Sequence, residues 1–311
     1  MEATSRSGSS VVEAARAAFG PVGTYLPIGL TATAPIDEQR EAARRLERAG
    51  FRAAWTNETV GGKDALVQLS VLPAATRRMA FGTGIANIWS RPAQTAQAAA
   101  AQLAQAYPDR LMLGLGVGYP QQAAAVGRDF GSPLTTMRDY LRQMSAPAVP
   151  PPADAAFPRI LAANRPKMLA LAAELADGAL PVGLPAASTS QVRAALGPGK
   201  LLVVAVSVII DALDPRAARE RARESVKASL ARPWYAQAIK GFGYTGEQIE
   251  SVDDALVEAV VAHGTPEAIA ATLHGHLAAG ADHVVILPSA TPDLLTGVAR
   301  LEHLADAVLS V

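Results

Sequence analysis

Leu46-Glu47-Arg48-Ala49-Gly50-Phe51-Arg52-Ala53-Ala54-Trp55-Thr56 carries a helix into a strand with one glycine between them. Ala42, Ala43, Leu46 and Ala49 recur at helical spacing, which predicts a helix over Asp37–Ala49 with Asp37 as N-cap and Gly50 past its end. Phe51–Thr56 then reads as a short buried strand. The same exit returns in Leu175-Ala176-Asp177-Gly178 and in Leu277-Ala278-Ala279-Gly280-Ala281-Asp282, each directly ahead of a strand. Helices that end at glycine and feed strands, repeated along a chain, are the signature of parallel βα units.

Working outward, strands are predicted at Thr24–Thr31, Met79–Ile88, Leu111–Val117, Arg159–Ala163, Ala179–Val182, Leu201–Ile210 and His283–Leu287. Between them fall helices at Asp64–Ala75, Pro92–Ala106, Thr135–Met144, Pro166–Ala176, Ser188–Leu196, from Asp214 to about Ile239, from Thr265 to near Gly280, and Pro292–Leu309. Asp214-Pro215 and Thr265-Pro266 pair a capping side chain with a proline in the first turn. About eight strands in parallel units close more naturally into a (β/α)8 TIM barrel than into the competing doubly wound open sheet. Residues 21–311 are therefore expected to form one barrel, behind an N-terminal extension over residues 1–20 that is flexible or helical. The Pro-rich loop 147–158 and a helical region at about 231–263 are the expected caps over a site.

The 311 residues are 50% hydrophobic and 18% charged, with 28 basic residues balancing 28 acidic ones. A core of that size excludes a disordered chain. Zero net charge argues against nucleic-acid and anionic-membrane partners, and the absence of a long uncharged apolar run argues against a membrane span. With no cysteine there are no disulfides, thiolate metal sites or cysteine nucleophiles, which fits a cytoplasmic location.

In a barrel, chemistry belongs at the C-terminal ends of the strands. Those ends are Leu30-Thr31, Thr56-Asn57-Glu58, Asn87-Ile88-Trp89, Gly116-Val117-Gly118-Tyr119, Ala163-Asn164-Arg165, Pro181-Val182, Asp211 and Ser289. Glu58 is the carboxylate of the early strands, so a paired-carboxylate hydrolase is not expected. All five histidines, His263, His274, His276, His283 and His303, fall in the last fifth of the chain. His274 and His276 point different ways on a helix, and His283 opens its strand, so neither a metal site nor a Ser-His-Asp triad is expected.

Leu113-Gly114-Leu115-Gly116-Val117-Gly118 is G-x-G-x-G, not a dinucleotide fingerprint, and is read without a capped helix directly after it. Its glycines serve either tight barrel packing or the approach of a flat ring. Two glycines in Phe81-Gly82-Thr83-Gly84-Ile85-Ala86-Asn87 suggest a bulge that turns backbone N–H groups inward, or a narrow barrel layer. Ala163-Asn164-Arg165-Pro166-Lys167 joins a helix N-terminus to two cations, a setting for a phosphate or an ordinary solvated helix start.

Together these stretches resemble the luciferase-like monooxygenase superfamily, in particular its deazaflavin-dependent oxidoreductases. The likeness runs through Ala49–Trp55 into Glu58, Gly82–Arg91, Ala106–Val117, Pro133–Leu141, Pro166–Leu169, Ala176–Ala179, Gly264–Glu267 and Ala279–Val284, most of residues 22–290. The resemblance implies a barrel, usually a homodimer, that binds coenzyme F420 or FMN at its C-terminal mouth. It implies a non-prolyl cis peptide around Thr83-Gly84-Ile85 behind the ring, ring contacts from Asn57, Gly116, Val117 and Gly118, and a phosphate-bearing tail held by Ala163, Asn164, Arg165 and Lys167. Relatives commonly carry glycine where Arg165 stands.

The function expected is hydride transfer between the deazaflavin and a small organic substrate under the Trp234–Tyr244 region, with the cofactor supplying the redox chemistry. Glu58 is expected to transfer a proton or touch the ring, and Asn87 to orient it. Trp234, Tyr235, Phe242 and Tyr244 suggest an apolar or aromatic guest. The alternatives are an FMN-dependent monooxygenase and a non-catalytic ligand-binding barrel.

Overall fold

The computed structural model describes residues 8–29, 32–210, 214–289, 291 and 293–310. Leu30-Thr31, Asp211 and Pro292, which the sequence places at strand ends and at a helix start, lie outside them.

Ten parallel strands make the sheet: β1 (Val22–Tyr25), β2 (Ala53–Thr56), β3 (Ala80–Thr83), β4 (Ala86–Asn87), β5 (Leu111–Gly116), β6 (Arg159–Ala162), β7 (Gly178–Leu180), β8 (Leu201–Ile209), β9 (Val261–His263) and β10 (His283–Pro288). Their order is sequential, and β10 pairs with both β1 and β8, so the sheet closes. Eight staves result because two of them are split: β3 and β4 both pair with β5, on either side of a break at Gly84–Ile85, and β7 and β9 pair with successive stretches of β8. The chain is an α/β TIM barrel.

The helices are α1 (Gly8–Phe19), α2 (Ile36–Arg48), α3 (Ala65–Ala75), α4 (Ala93–Ala106), α5 (Pro120–Ala124), α6 (Pro133–Met144), α7 (Pro166–Leu175), α8 (Thr189–Leu196), α9 (Pro215–Leu230), α10 (Pro233–Gly241), α11 (Gly246–Ser251), α12 (Asp254–Val260), α13 (Pro266–Ala278) and α14 (Leu294–Leu309). Strands buried on both faces explain the near-continuous apolar runs, β8 above all. The lumen is filled by alternate side chains such as Tyr25, Trp55, Met112, Ile160, Val203 and Val285, and α1 stoppers its N-terminal end with Val12, Ala15 and Phe19. There His283 Nδ1–H donates to the Gly20 carbonyl at 2.6 Å, while Nε2 accepts from Trp55 Nε1 at 3.0 Å. A carbonyl only accepts and an indole N–H only donates, so the ring is neutral.

Several expectations need correction. Asp37 does not cap α2: Pro35 precedes the helix and Asp37 sits in its first turn, paired with Arg40 at 2.6 Å. The first strand stops at Tyr25, because Pro27 has no N–H for a ladder and Ile28 N–H turns back to Leu26. A short helix does follow the G-x-G-x-G stretch: α5 begins at Pro120, and Gln122 Oε1 accepts from Tyr119 N–H at 2.8 Å. The region 231–263 is helical only to Val260. Its last three residues are β9, which takes over the edge of β8 above the point where β7 ends.

Candidate functional site

Alternation along each strand sends every second side chain into the lumen. Ala53 and Trp55 face it, so Asn57 is the next inward position of that stave and Glu58 points outward. At mid-height the lumen is closed, for a Cβ on Gly82 would lie 2.5 Å from the Trp55 ring. One layer higher the inward positions Asn57, Gly84, Ala162, Val182, Ser207 and Leu287 are all half-exposed. They form a small, largely apolar floor.

The break between β3 and β4 is stitched into this floor. The Gly84–Ile85 peptide is cis. Gly84 N–H donates to Thr56 O at 2.7 Å, Gly84 O accepts from the Tyr25 hydroxyl at 3.0 Å, and Glu58 N–H donates to Ile85 O at 3.0 Å. Burial pushes the Tyr25 phenol pKa up, so it stays a donor.

Glu58 is 5% exposed, and its carboxylate is occupied. It accepts from Asn87 N–H at 2.6 Å, from Arg91 at 2.6 and 3.3 Å, and from Ala65 N–H at 3.3 Å. Arg91 also binds Asp64 at 2.6 Å, and Asp64 caps α3 by accepting from Val67 N–H. Asn87 is 1% exposed; its Oδ1 accepts from Trp89 N–H at 3.0 Å, and its Nδ2 has no hydrogen-bond partner among the described residues. Nδ2 lies beside Gly118, where a Cβ would approach it to 2.7 Å and Gln122 Oε1 to 2.1 Å.

The other expected residues divide. Thr83 is fully buried and its hydroxyl bonds both the N–H and the carbonyl of Gly114. Gly116 is needed for packing, since a Cβ there would meet Ile85 Cγ1 at 2.6 Å. Ile85, Val117 and Gly118 are half-exposed at the rim, with Val117 O accepting from Trp89 Nε1 at 2.7 Å. Ala163 is buried. Asn164 ties staves together, donating to Val182 O at 2.7 Å and accepting from Val182 N–H at 2.9 Å. Arg165 and Lys167 are exposed at the head of α7, without ion-pair partners among the described residues.

Two groups escaped the sequence reading as site residues. Arg91 stands in the resembling stretch but shows its role only through Glu58. Lys63 is 6% exposed, its Nζ donates to Asn57 Oδ1 at 2.8 Å, and burial pushes its pKa down to about 8. The cap helices lean on the far side of the mouth: Ile209, Val261, Tyr235 and Leu256 share one cluster, and the Tyr235 hydroxyl donates to Gly183 O at 2.9 Å. Trp234 and Tyr244 pack within that cluster, and Phe242 packs against the outer core. Among the described residues no three His, Asp or Glu side chains gather as a metal site, and no helix is long and apolar enough to cross a membrane. A cavity of about 240 Å³ beside Gln97, Phe157, Arg159 and Asp177 borders the N-terminal ends of the strands, away from this mouth.

The sequence model of the luciferase-like monooxygenases matches residues 21–283. The chain belongs to this family. As a luciferase-like protein it is 30% identical over 189 residues to a Mycobacterium tuberculosis protein whose provisional name is coenzyme F420-dependent oxidoreductase, covering 50% of this chain and 54% of the other. It is 28% identical over 163 residues to the 5,10-methylenetetrahydromethanopterin reductase of Methanolobus tindarius, covering 47% and 50%. The chain spans about half the length of the curated relatives it matches. A solved F420-dependent secondary alcohol dehydrogenase with an F420–acetone adduct superposes with a TM-score of 0.71 at 16% identity, over 93% of this chain and 98% of that one. The oxygenating constituent of a Pseudomonas putida diketocamphane monooxygenase, bound to FMN, gives 0.66 at 15% identity over 93% and 96%. At such identities these two establish the fold alone.

Proposed function

We propose that the protein is an oxidoreductase that holds coenzyme F420 over the floor of the mouth and moves a hydride between it and a small organic substrate. The observation that carries this is the amide of Asn87, a buried donor with no hydrogen-bond partner among the described residues, next to Gly118 at the rim of the mouth. A native core satisfies its donors, so an orphan at the functional end of a barrel calls for a ligand acceptor. The family relatives named for F420 support the same cofactor. When bound, the deazaflavin supplies the two-electron chemistry, and the chain supplies position.

The residues fit such a guest. The small floor admits a flat ring, Asn87 Nδ2 orients its polar edge, and Arg165, Lys167 and the N-terminus of α7 receive the phosphate of its tail. Glu58 acts as a positioning residue, fixing Asn87 through its backbone and Arg91 through its guanidinium. Titration of the protein with oxidised F420, followed by cofactor fluorescence, should give micromolar or tighter binding; no binding would overturn the proposal. The FMN reading is favoured by the fold shared with the FMN-bound monooxygenase. Micromolar binding of FMN with no binding of F420 would select it.

We also propose a homodimer through α3 and α4. Neither helix carries a charged residue, whereas α2 carries eight among thirteen.

A further inference from the structure

Lys63 is a buried cation at the mouth, and among the described residues no carboxylate pairs with it. The loop after β2 folds back on itself, pairing Thr59 with Lys63, and this brings the ammonium to the inward-facing Asn57. Among the described residues, the charged groups of the adjoining elements are Glu58 at the exit of β2, Asp64 at the head of α3 and Arg91 after β4. Both carboxylates close on Arg91 at 2.6 Å, and neither forms an ion pair with Lys63. The ammonium, with three donors, has one acceptor among the described residues, the neutral Asn57 amide. Leaving a charge in that state is costly, and burial pushes the Lys63 pKa down to about 8 for that reason. Arginine or lysine placed only for structure is ordinarily given a carboxylate, as Arg91 is here.

We propose that Lys63 receives an anionic oxygen on the edge of the small molecule in the mouth, so that the guest is a flat, largely apolar body carrying a carboxylate or enolate-like oxygen beside Asn57. The inference rests on the mouth being the ligand site proposed above. The oxygen has two possible sources, the pyrimidine edge of the cofactor ring and a carboxylate on the substrate. Both present the same chemistry to the ammonium.

The test is a direct titration of Lys63. The chain has five lysines, at 63, 167, 200, 227 and 240, so protein labelled with carbon-13 at the lysine Cε gives a countable set of signals. Lys63→Met assigns the signal, or elimination through arginine at the other four does so if that variant does not fold. Free protein should show a Lys63 midpoint near pH 8, well below the surface lysines. One arm adds oxidised F420 and the other benzoate, a flat carboxylate. A rise of the midpoint by one pH unit or more in either arm, matched by about a tenfold affinity loss in Lys63→Met, supports the inference and names the source of the oxygen. An unmoved midpoint in both arms overturns it. If benzoate moves the midpoint while neither F420 nor FMN binds, the anion site stands and the cofactor assignment falls; if F420 binds and neither arm moves Lys63, the reverse holds.

Discussion

Glu58 accepts from two backbone N–H groups and from Arg91, so its oxygens are already engaged before any ligand arrives. A carboxylate held this way orders its neighbours. Glu58→Gln removes one partner of a buried ion pair, and denaturant unfolding should show a loss of about 3 kcal/mol. The pH dependence of any turnover should keep its limbs, because the proton would come from elsewhere. Asn87 makes the opposite case. Asn87→Asp keeps the acceptor for Trp89 N–H and converts the orphan donor into an acceptor, so F420 affinity measured by fluorescence should drop about tenfold or more, the equivalent of one hydrogen bond of about 1.4 kcal/mol. Unchanged affinity would remove Asn87 from the ring site.

Among the elements, the stave broken at Gly84–Ile85 depends on glycines across from it. A Cβ on Gly114 would lie 2.0 Å from the Thr83 carbonyl oxygen, a backbone atom that cannot step aside. Gly114→Ala should therefore cost about 2–3 kcal/mol, read as a shifted urea midpoint. Gly199→Ala, with nothing within 4 Å, should stay within about 0.5 kcal/mol. The even balance the sequence leaves between packing and ligand contact thus falls to packing at Gly114 and Gly116. The βα rhythm was legible because each unit announces itself locally, by a glycine exit and an apolar run. The site was legible only in part. Counting pleats from buried Trp55 would have turned Asn57 inward and Glu58 outward, but which residue is buried in the lumen is a tertiary fact. Lys63 lay hidden because its position depends on the loop between Thr59 and Lys63 doubling back, which no periodicity encodes. β9 was masked by its brevity, three residues between two helices.

At the scale of the molecule, two surfaces and one plug set its behaviour. The charge-free exteriors of α3 and α4, with Val67 60% exposed, are expected to meet a second copy; Val67→Glu should shift the sedimentation coefficient from dimer towards monomer, and an unchanged value would place any dimer elsewhere. The plug gives the barrel an acid limit. His283 joins α1, β2 and β10 as a neutral ring, and burial holds its pKa down at about 4; His276, buried under α8, is likewise pushed down to about 4. In the unfolded chain both return to about 6.5. Below that pH the unfolded state takes up protons that the folded rings refuse, so stability falls as pH drops from 6.5 through 4, and by about 3 kcal/mol for each ring once both forms are protonated. Above 6.5 neither ring contributes a slope. Urea midpoints measured from pH 7.5 to 4 should trace that decline. His283→Gln keeps a side-chain amide at the same place without a titrating group, so it should flatten the decline by about half. An undiminished slope in that variant would show that the barrel's acid sensitivity does not arise at its stopper.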